Sequence, residues 1–134
     1  MNNRVDCLVF ANGEHQFVLP TGMVFEIATL NEPLRQQKDK DGLFLMNWHS
    51  RDIKAVVLDP DVKVADFKFA IIAKPIHQGG QPTGLLSSAQ PSLLIIYSEQ
   101  ILEEQSSAFP LVHSDFNYQE KLYSAPDFEM INAY

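Results

Sequence analysis

Apolar and polar positions alternate along this chain in short blocks, most of them of strand length. Val5 to Phe10 is the first apolar block. Asn12-Gly13 follows, a pair that tolerates positive φ and marks a tight hairpin turn, and His15-Gln16-Phe17-Val18-Leu19 is the return strand, stopped by Pro20. Thr21 is placed to cap a short helix over Met23-Val24-Phe25-Glu26-Ile27, whose apolar residues favour one face. Asn31 to Asp41 is polar and charged and reads as an exposed loop. The block on which the rest is organised comes next. Leu43-Phe44-Leu45-Met46 enters it, Asn47 to Asp52 is polar, and Ile53 to Leu58 is largely β-branched and apolar. This pattern predicts two strands paired across a turn at His49 to Asp52, with no glycine to supply a left-handed residue there. Trp48, the single tryptophan, falls at the rim of that hairpin, where its ring covers the core and its N–H meets water.

Beyond the Asp59-Pro60-Asp61 turn, Phe67 to Ala73 alternates and then becomes continuously apolar, as a central strand does. His77 to Thr83 reads as a flexible hairpin loop, Gly84-Leu85-Leu86 opens the next strand, and Leu93 to Tyr97 reads as another buried strand. Ser98 to Glu104 is read as a short helical turn and Phe109 to Val112 as a strand. Phe116 to Tyr123 fits a strand or an aromatic-rich turn, and Phe128-Glu129-Met130-Ile131 alternates weakly, as a closing strand would. No internal repeat at a fixed period stands out in the sequence. Many short strands separated by turn signals place the chain among mainly β barrels or sandwiches.

Composition narrows this further. A length of 134 residues allows one domain, or two very small subdomains sharing a core, and the hydrophobic fraction of 46% supports a sizeable core without disulfides or metals. The net charge of −7 disfavours nucleic acid and anionic lipid headgroups, both of which need clustered Lys and Arg. One cysteine, Cys7, permits no internal disulfide and fits a reducing compartment. With neither a signal-peptide core at the N-terminus nor an apolar run long enough to span a membrane, the expectation is a cytoplasmic protein without membrane insertion.

Candidate chemistry changes the picture little. His15, His49, His77 and His113 lie far apart at no ligand spacing, so no metal site is expected. Cys7 sits in mid-strand where a small hydrophobe belongs, and no G-x-S-x-G elbow is present. Gly79-Gly80-Gln81-Pro82-Thr83-Gly84 lacks the Lys-Ser/Thr ending of a phosphate-binding loop. Asp59/Asp61 and Glu103/Glu104 read as solvated acids. No catalytic residue and no cofactor is expected, and the chain reads as a binding protein rather than an enzyme. Among the aromatic residues that serve as interface anchors, Phe25 and Phe44 are expected in the core and Trp48 at the surface, with Tyr97, Tyr118 and Tyr123 as further candidates.

The organising hairpin resembles the G-l-x-N-W-R-G-x-x-I-P-V-V-D-L hairpin of CheW-like domains, the coupling proteins of bacterial chemosensory arrays. Asn47, Trp48, Ile53, Val56 and Leu58 stand where that pattern wants them, while its Arg is His49, its Gly is Ser50, its Pro is Lys54 and its Asp is Val57. The opening hairpin is similar to the family's, and Leu19, Pro20, Val24, Glu26 and Ile27 match its l-P-x-x-x-V-x-E-I segment. Gly84-Leu85-Leu86 resembles its l-G-l-l-v-D-x-V, with Ser88 at the place of the Asp. The resemblance implies two small intertwined SH3-like five-stranded β-barrels over a shared core, with one or two short helices. It implies a single domain over residues 1–134, with approximate subdomains 15–65 and 66–134 and a shared N-terminal strand. It also implies a non-enzymatic adaptor that joins the regulatory domain of a CheA-type histidine kinase to the cytoplasmic tip of chemoreceptors, in chemotaxis or in the control of twitching motility and type IV pili. Asn47, Trp48, His49 and Arg51 are the expected partner contacts, with Arg51, at strand spacing from His49 and so on its side, supplying the missing charge. The rival readings are a β-barrel interaction module or homodimer in an unrelated complex, and a small-molecule-binding barrel.

Overall fold

The computed structural model describes residues 3–36 and 42–134, so residues 37–41 of the expected polar loop lie outside the described residues. In chain order the strands are β1 Arg4–Asn12, β2 His15–Pro20, β3 Val24–Thr29, β4 Arg35–Gln36, β5 Leu43–Trp48, β6 Arg51–Val56, β7 Phe69–Ala73, β8 Thr83–Ser87, β9 Ser92–Tyr97, β10 Leu102–Ser106, β11 Val112–Tyr118 and β12 Lys121–Pro126, followed by one α-helix, α1 Phe128–Ala133. They form two six-stranded sheets, one ordered β10-β11-β12-β2-β1-β9 and the other β3-β7-β8-β6-β5-β4. The expected intertwined pair of β lobes is therefore present, each sheet carrying a short strand (β4 or β10) on one edge.

Read from opposite ends, the two orders are the same. Hairpin β1–β2 corresponds to β7–β8, and the four strands β3–β6 correspond to β9–β12, down to a single parallel contact in each sheet, β12 against β2 and β6 against β8. The second half of the chain repeats the first, and each half lends its opening hairpin to the other half's lobe. The repeat is one of strand order rather than of residues.

This exchange explains the continuous apolar runs. Strands β1, β2, β6, β7 and β8 lie where the lobes meet and are buried on both faces, so both parities of side chain are apolar. Leu8, Phe10, Phe17, Leu19, Val56, Leu58, Ile71 and Leu85 fill the core between the lobes. The alternate residues turn into one lobe or the other: Ile53, Ala55, Ala70, Ile72 and Leu86 with Phe44 and Met46, and Cys7 and Val18 with Ile96, Phe116, Tyr118 and Tyr123. Gly84 marks the tightest approach in the first of these interiors, since a Cβ there would stand 2.7 Å from the Met46 sulfur.

Six local expectations are corrected. Ser98 to Glu104 is a 3₁₀ turn only over Ser98–Gln100 and then enters β10, and Phe109 to Leu111 is a turn that leads into β11 rather than a strand. Residues 23–27 are not a helix: a 3₁₀ turn over Thr21–Met23 without a side-chain cap leads into β3, whose Val24 and Ile27 are β-branched and whose side chains alternate between half-buried and exposed. The closing segment at Phe128 is α-helix rather than strand, because Asp127 caps it by accepting from the Met130 N–H at 3.2 Å, and Ile131 inserts into the shared core. Strand β9 is not buried; it is an edge strand with Leu93 and Ile95 exposed. The opening turn falls one residue late, on Gly13-Glu14, because Asn12 is taken into the sheet opposite His15 and its side chain is wholly buried.

Candidate functional site

The β5–β6 hairpin turns on two residues, His49 and Ser50, with Trp48 opposite Arg51 and Asn47 opposite Asp52. Both turn residues have positive φ, 49° and 64°. Two-residue hairpins require that conformation, and without glycine each residue is strained by about 1 kcal/mol. Gln119 and Glu120 turn the corresponding β11–β12 hairpin in the same way, with φ of 50° and 66°.

Strand parity sets what the tip presents. Phe44 and Met46 point into the lobe, so Trp48 points inward at its mouth, packing on that interior. There it meets β3. The indole N–H is not left to water but donates to Glu26 Oε1, and the Phe25 ring stacks on the indole at 6.1 Å between centroids. His49 Nε2 donates to the same Glu26 oxygen, and its ring stands edge-on to the indole at 4.5 Å. Arg51 lies over the indole ring, its guanidinium carbon 5.1 Å from the centroid. Because β3 ends its sheet and β5 lies at the far side of it, these contacts close the mouth of the lobe through side chains where no backbone ladder does.

Of the four expected site residues, Trp48, His49 and Arg51 thus meet around one indole. The parity argument for Arg51 fails, since His49 lies in the turn rather than in a strand. Asn47 faces the other way, toward an open groove lined with Glu32, Pro33, Arg35, Leu45 and Asp52, in which Arg35 and Asp52 form an ion pair. Three residues of the rim were not singled out as surface contacts. Glu26 anchors it, Lys74 stands 5.7 Å over the Phe25 ring, and Phe25, expected in the core, is 51% exposed. The signal available for Phe25 was its alternation with Val24 and Glu26, once that segment is read as strand. Phe44, by contrast, is buried as expected, and Tyr118 and Tyr123 are buried as well.

The electrostatics of the rim are those of a carboxylate with two donors. The bond from His49, and then that from Trp48, hold the Glu26 carboxyl below the ordinary value of 4.5. A depressed carboxylate stabilises the fold above its unfolded pKa and ceases to do so as pH falls through its folded pKa. Trp48 is therefore expected to report an acid transition below pH 4.5 in its fluorescence, with the far-UV circular dichroism unchanged. Glu26→Gln should remove that transition, and its persistence would assign it to another group.

Other candidate clusters have structural explanations. Ser124 donates to Asp115 Oδ1 at 2.6 Å and lies 3.3 Å from His15 Nε2, but the hydroxyl is fully buried and ties β12 to β11 and β2. Burial, with Asp6 adding to it, raises the Cys7 thiol, which favours the unreactive protonated form. Among the described residues no group of three or more His, Cys, Asp or Glu is placed to hold a metal ion, and no helix is long and apolar enough to cross a membrane.

No family model matches the chain, and no curated protein matches it significantly in sequence. Comparison with solved structures does find a counterpart. The chain superposes on the scaffolding protein TtCheW from Thermoanaerobacter tengcongensis with a TM-score of 0.71, over 94% of this chain and 89% of that one, at 17% identity. The fold is that of CheW.

Proposed function

We propose that this protein is a non-enzymatic scaffold of a chemosensory system, a divergent CheW-like adaptor that works in the cytoplasm and couples a CheA-type histidine kinase to chemoreceptors. The superposition on a scaffolding protein over nearly the full length of both chains carries this reading. The placement of the Asn47-Trp48 motif supports it, since Trp48 is half-buried at the open end of one lobe and Asn47 is exposed beside it. In this reading Trp48, His49 and Arg51 form one contact surface, and Asn47 contributes from the adjoining groove. Control of twitching motility or type IV pili is a setting that suits a short adaptor of this kind. A second reading, an interaction module that pairs through a sheet edge, is favoured by the exposed Leu93 and Ile95 of β9.

Titration calorimetry against the regulatory domain of the CheA-type kinase from the same genome tests the first reading. We expect binding in the micromolar range, or about −8 kcal/mol. Trp48→Ala with Arg51→Ala should weaken it by roughly tenfold or more, because aromatic and Arg anchors dominate interfaces. Trp48 packs on the lobe interior, so the double variant should also melt lower, and Arg51→Ala alone, at an exposed residue, should weaken binding at an unchanged melting temperature. No heat at two temperatures, or unchanged affinity in the double variant, counts against this assignment.

A further inference from the structure

We propose that the rim of the lobe built from β3 to β8 receives an acidic protein segment with an apolar side chain between two carboxylates. The inference rests on the scaffold reading and names the chemistry of the partner's contact. Its basis is a row of four side chains in which cations flank stacked rings: Lys74 over Phe25, Phe25 against Trp48, and Arg51 over Trp48. Cations on aromatic faces keep most of their charge available outward, and here both side chains are exposed.

The charge balance of the patch sets the sign of the partner. The carboxylate that touches the row, Glu26, is engaged by Trp48 and His49, and Asp52, on the opposite face of the hairpin, is engaged by Arg35. Among the described residues neither Arg51 nor Lys74 has a carboxylate within ion-pair distance. Among the described residues of a chain of net charge −7, the exposed aromatic rim thus carries two cations outside any ion pair. Phe25, exposed and placed between Lys74 and Trp48, gives an apolar side chain a seat between the cations, and Ile27, two residues on, extends the exposed apolar face of β3. The distances along the row are covered by about five residues of extended chain at ~3.3 Å each. Acidic residues two positions either side of an apolar one share a face at that spacing. A nucleic acid fits less well, because its regular phosphates would run beyond two cations onto an acidic surface.

The test uses the full ¹⁵N-labelled chain and the capped pentapeptide Asp-Ser-Leu-Ser-Asp, with Lys-Ser-Leu-Ser-Lys and a short oligothymidylate as controls. The acidic peptide should shift the Trp48 indole N–H and the amides of Phe25, Arg51 and Lys74, with the basic peptide weaker by roughly tenfold. Arg51→Glu with Lys74→Glu should abolish the response, and Arg51→Gln with Lys74→Gln should reduce it at an unchanged melting temperature. Equal shifts with the basic peptide, an unaltered response in the charge-reversed variant, or stronger shifts from the oligothymidylate would each overturn the proposal. The kinase domain separates the two readings. If it binds and charge reversal leaves its affinity unchanged, the acidic-segment proposal fails and the scaffold stands. If the peptide marks this rim while the kinase domain does not bind, the scaffold assignment fails and the surface remains.

Discussion

Asn12→Ala is expected to destabilise the protein by about 3–5 kcal/mol, a large share of the 5–15 kcal/mol typical of a domain. The side chain is completely buried where the lobes meet, and all of its polar atoms are used. Its Oδ1 accepts from the N–H groups of Leu58 and Asp59, each at 3.1 Å, and its Nδ2 donates to the Leu86 carbonyl at 2.8 Å. One amide on β1 thus joins the end of one lobe's sheet to two segments of the other. Alanine leaves two donors and an acceptor unpaired, the Leu58 N–H and Leu86 carbonyl in buried surroundings, at about 1–3 kcal/mol each. Neighbouring bonds limit relaxation: Ser87 Oγ accepts from the Ala11 N–H, and the Ser88 N–H donates to the Ala11 carbonyl. Asn12→Asp keeps the acceptors but sets a carboxylate against the Leu86 carbonyl, so it should also lose stability. Urea unfolding should show the loss as a lower midpoint at unchanged slope, and thermal unfolding as a fall of about 10–20 °C. A loss below about 1 kcal/mol would mean that water replaces the side chain at this seam.

Asn12 also shows what the sequence hides. Asn-Gly is a strong turn signal, and the hairpin forms there with its turn one residue late. Nothing local distinguishes an asparagine spent on a turn from one buried between lobes, because its partners are 46 to 74 residues away in the chain. The β1–β2 and β5–β6 hairpins were legible since each is local, whereas Phe116 to Tyr123, read as a strand or a turn, is the β11–β12 hairpin; the doubly buried strands were legible as continuous apolar runs. Segments of five or six residues were not. Met23 to Ile27 satisfies a helical face and a strand alternation equally well, and Phe128 to Ile131 likewise, so tertiary context and one Asp cap decided both. β9, with Leu93 and Ile95 exposed, reads like a core strand because an apolar run does not say what covers it. The partner-binding role of Trp48, His49, Arg51 and Asn47 is a proposal, but their position at an exposed hairpin end was readable. Glu26, which holds that end to β3, was legible only as one match in a motif.

The internal repeat escaped for a related reason: its halves share topology and almost no residues. One echo is visible once the strands are aligned. Asn47-Trp48-His49-Ser50-Arg51 at the tip of β5–β6 answers to Asn117-Tyr118-Gln119-Glu120-Lys121 at the tip of β11–β12, an Asn and an aromatic residue before two positive-φ residues and a cation. In each lobe the aromatic residue reaches across the open side of the sheet, Trp48 to β3 and Tyr118 to β9.

The two closures differ in environment, and that difference makes the second prediction. Tyr118→Phe should destabilise by about 1.5–3 kcal/mol and Trp48→Phe by less than about 1 kcal/mol. Tyr118 is wholly buried, and its hydroxyl accepts from the Tyr97 N–H and donates to the Ile95 carbonyl, both at 3.1 Å. Phenylalanine leaves both backbone groups of β9 unpaired next to the lobe's core. The Trp48 N–H instead ends on a carboxylate that water reaches, so losing it exchanges one hydrated partner for another. Amide hydrogen exchange should locate the effects. Tyr118→Phe should speed exchange along β9 beyond the global loss, because among the described residues β9 is an edge strand paired only with β1. Trp48→Phe should speed it along β3 alone. A uniform increase across both lobes in either variant would mean that the shared core couples them into one unfolding unit. Localised increases would mean that each lobe opens at its own side-chain closure, leaving the rim free to part for a partner while the shared core stays folded.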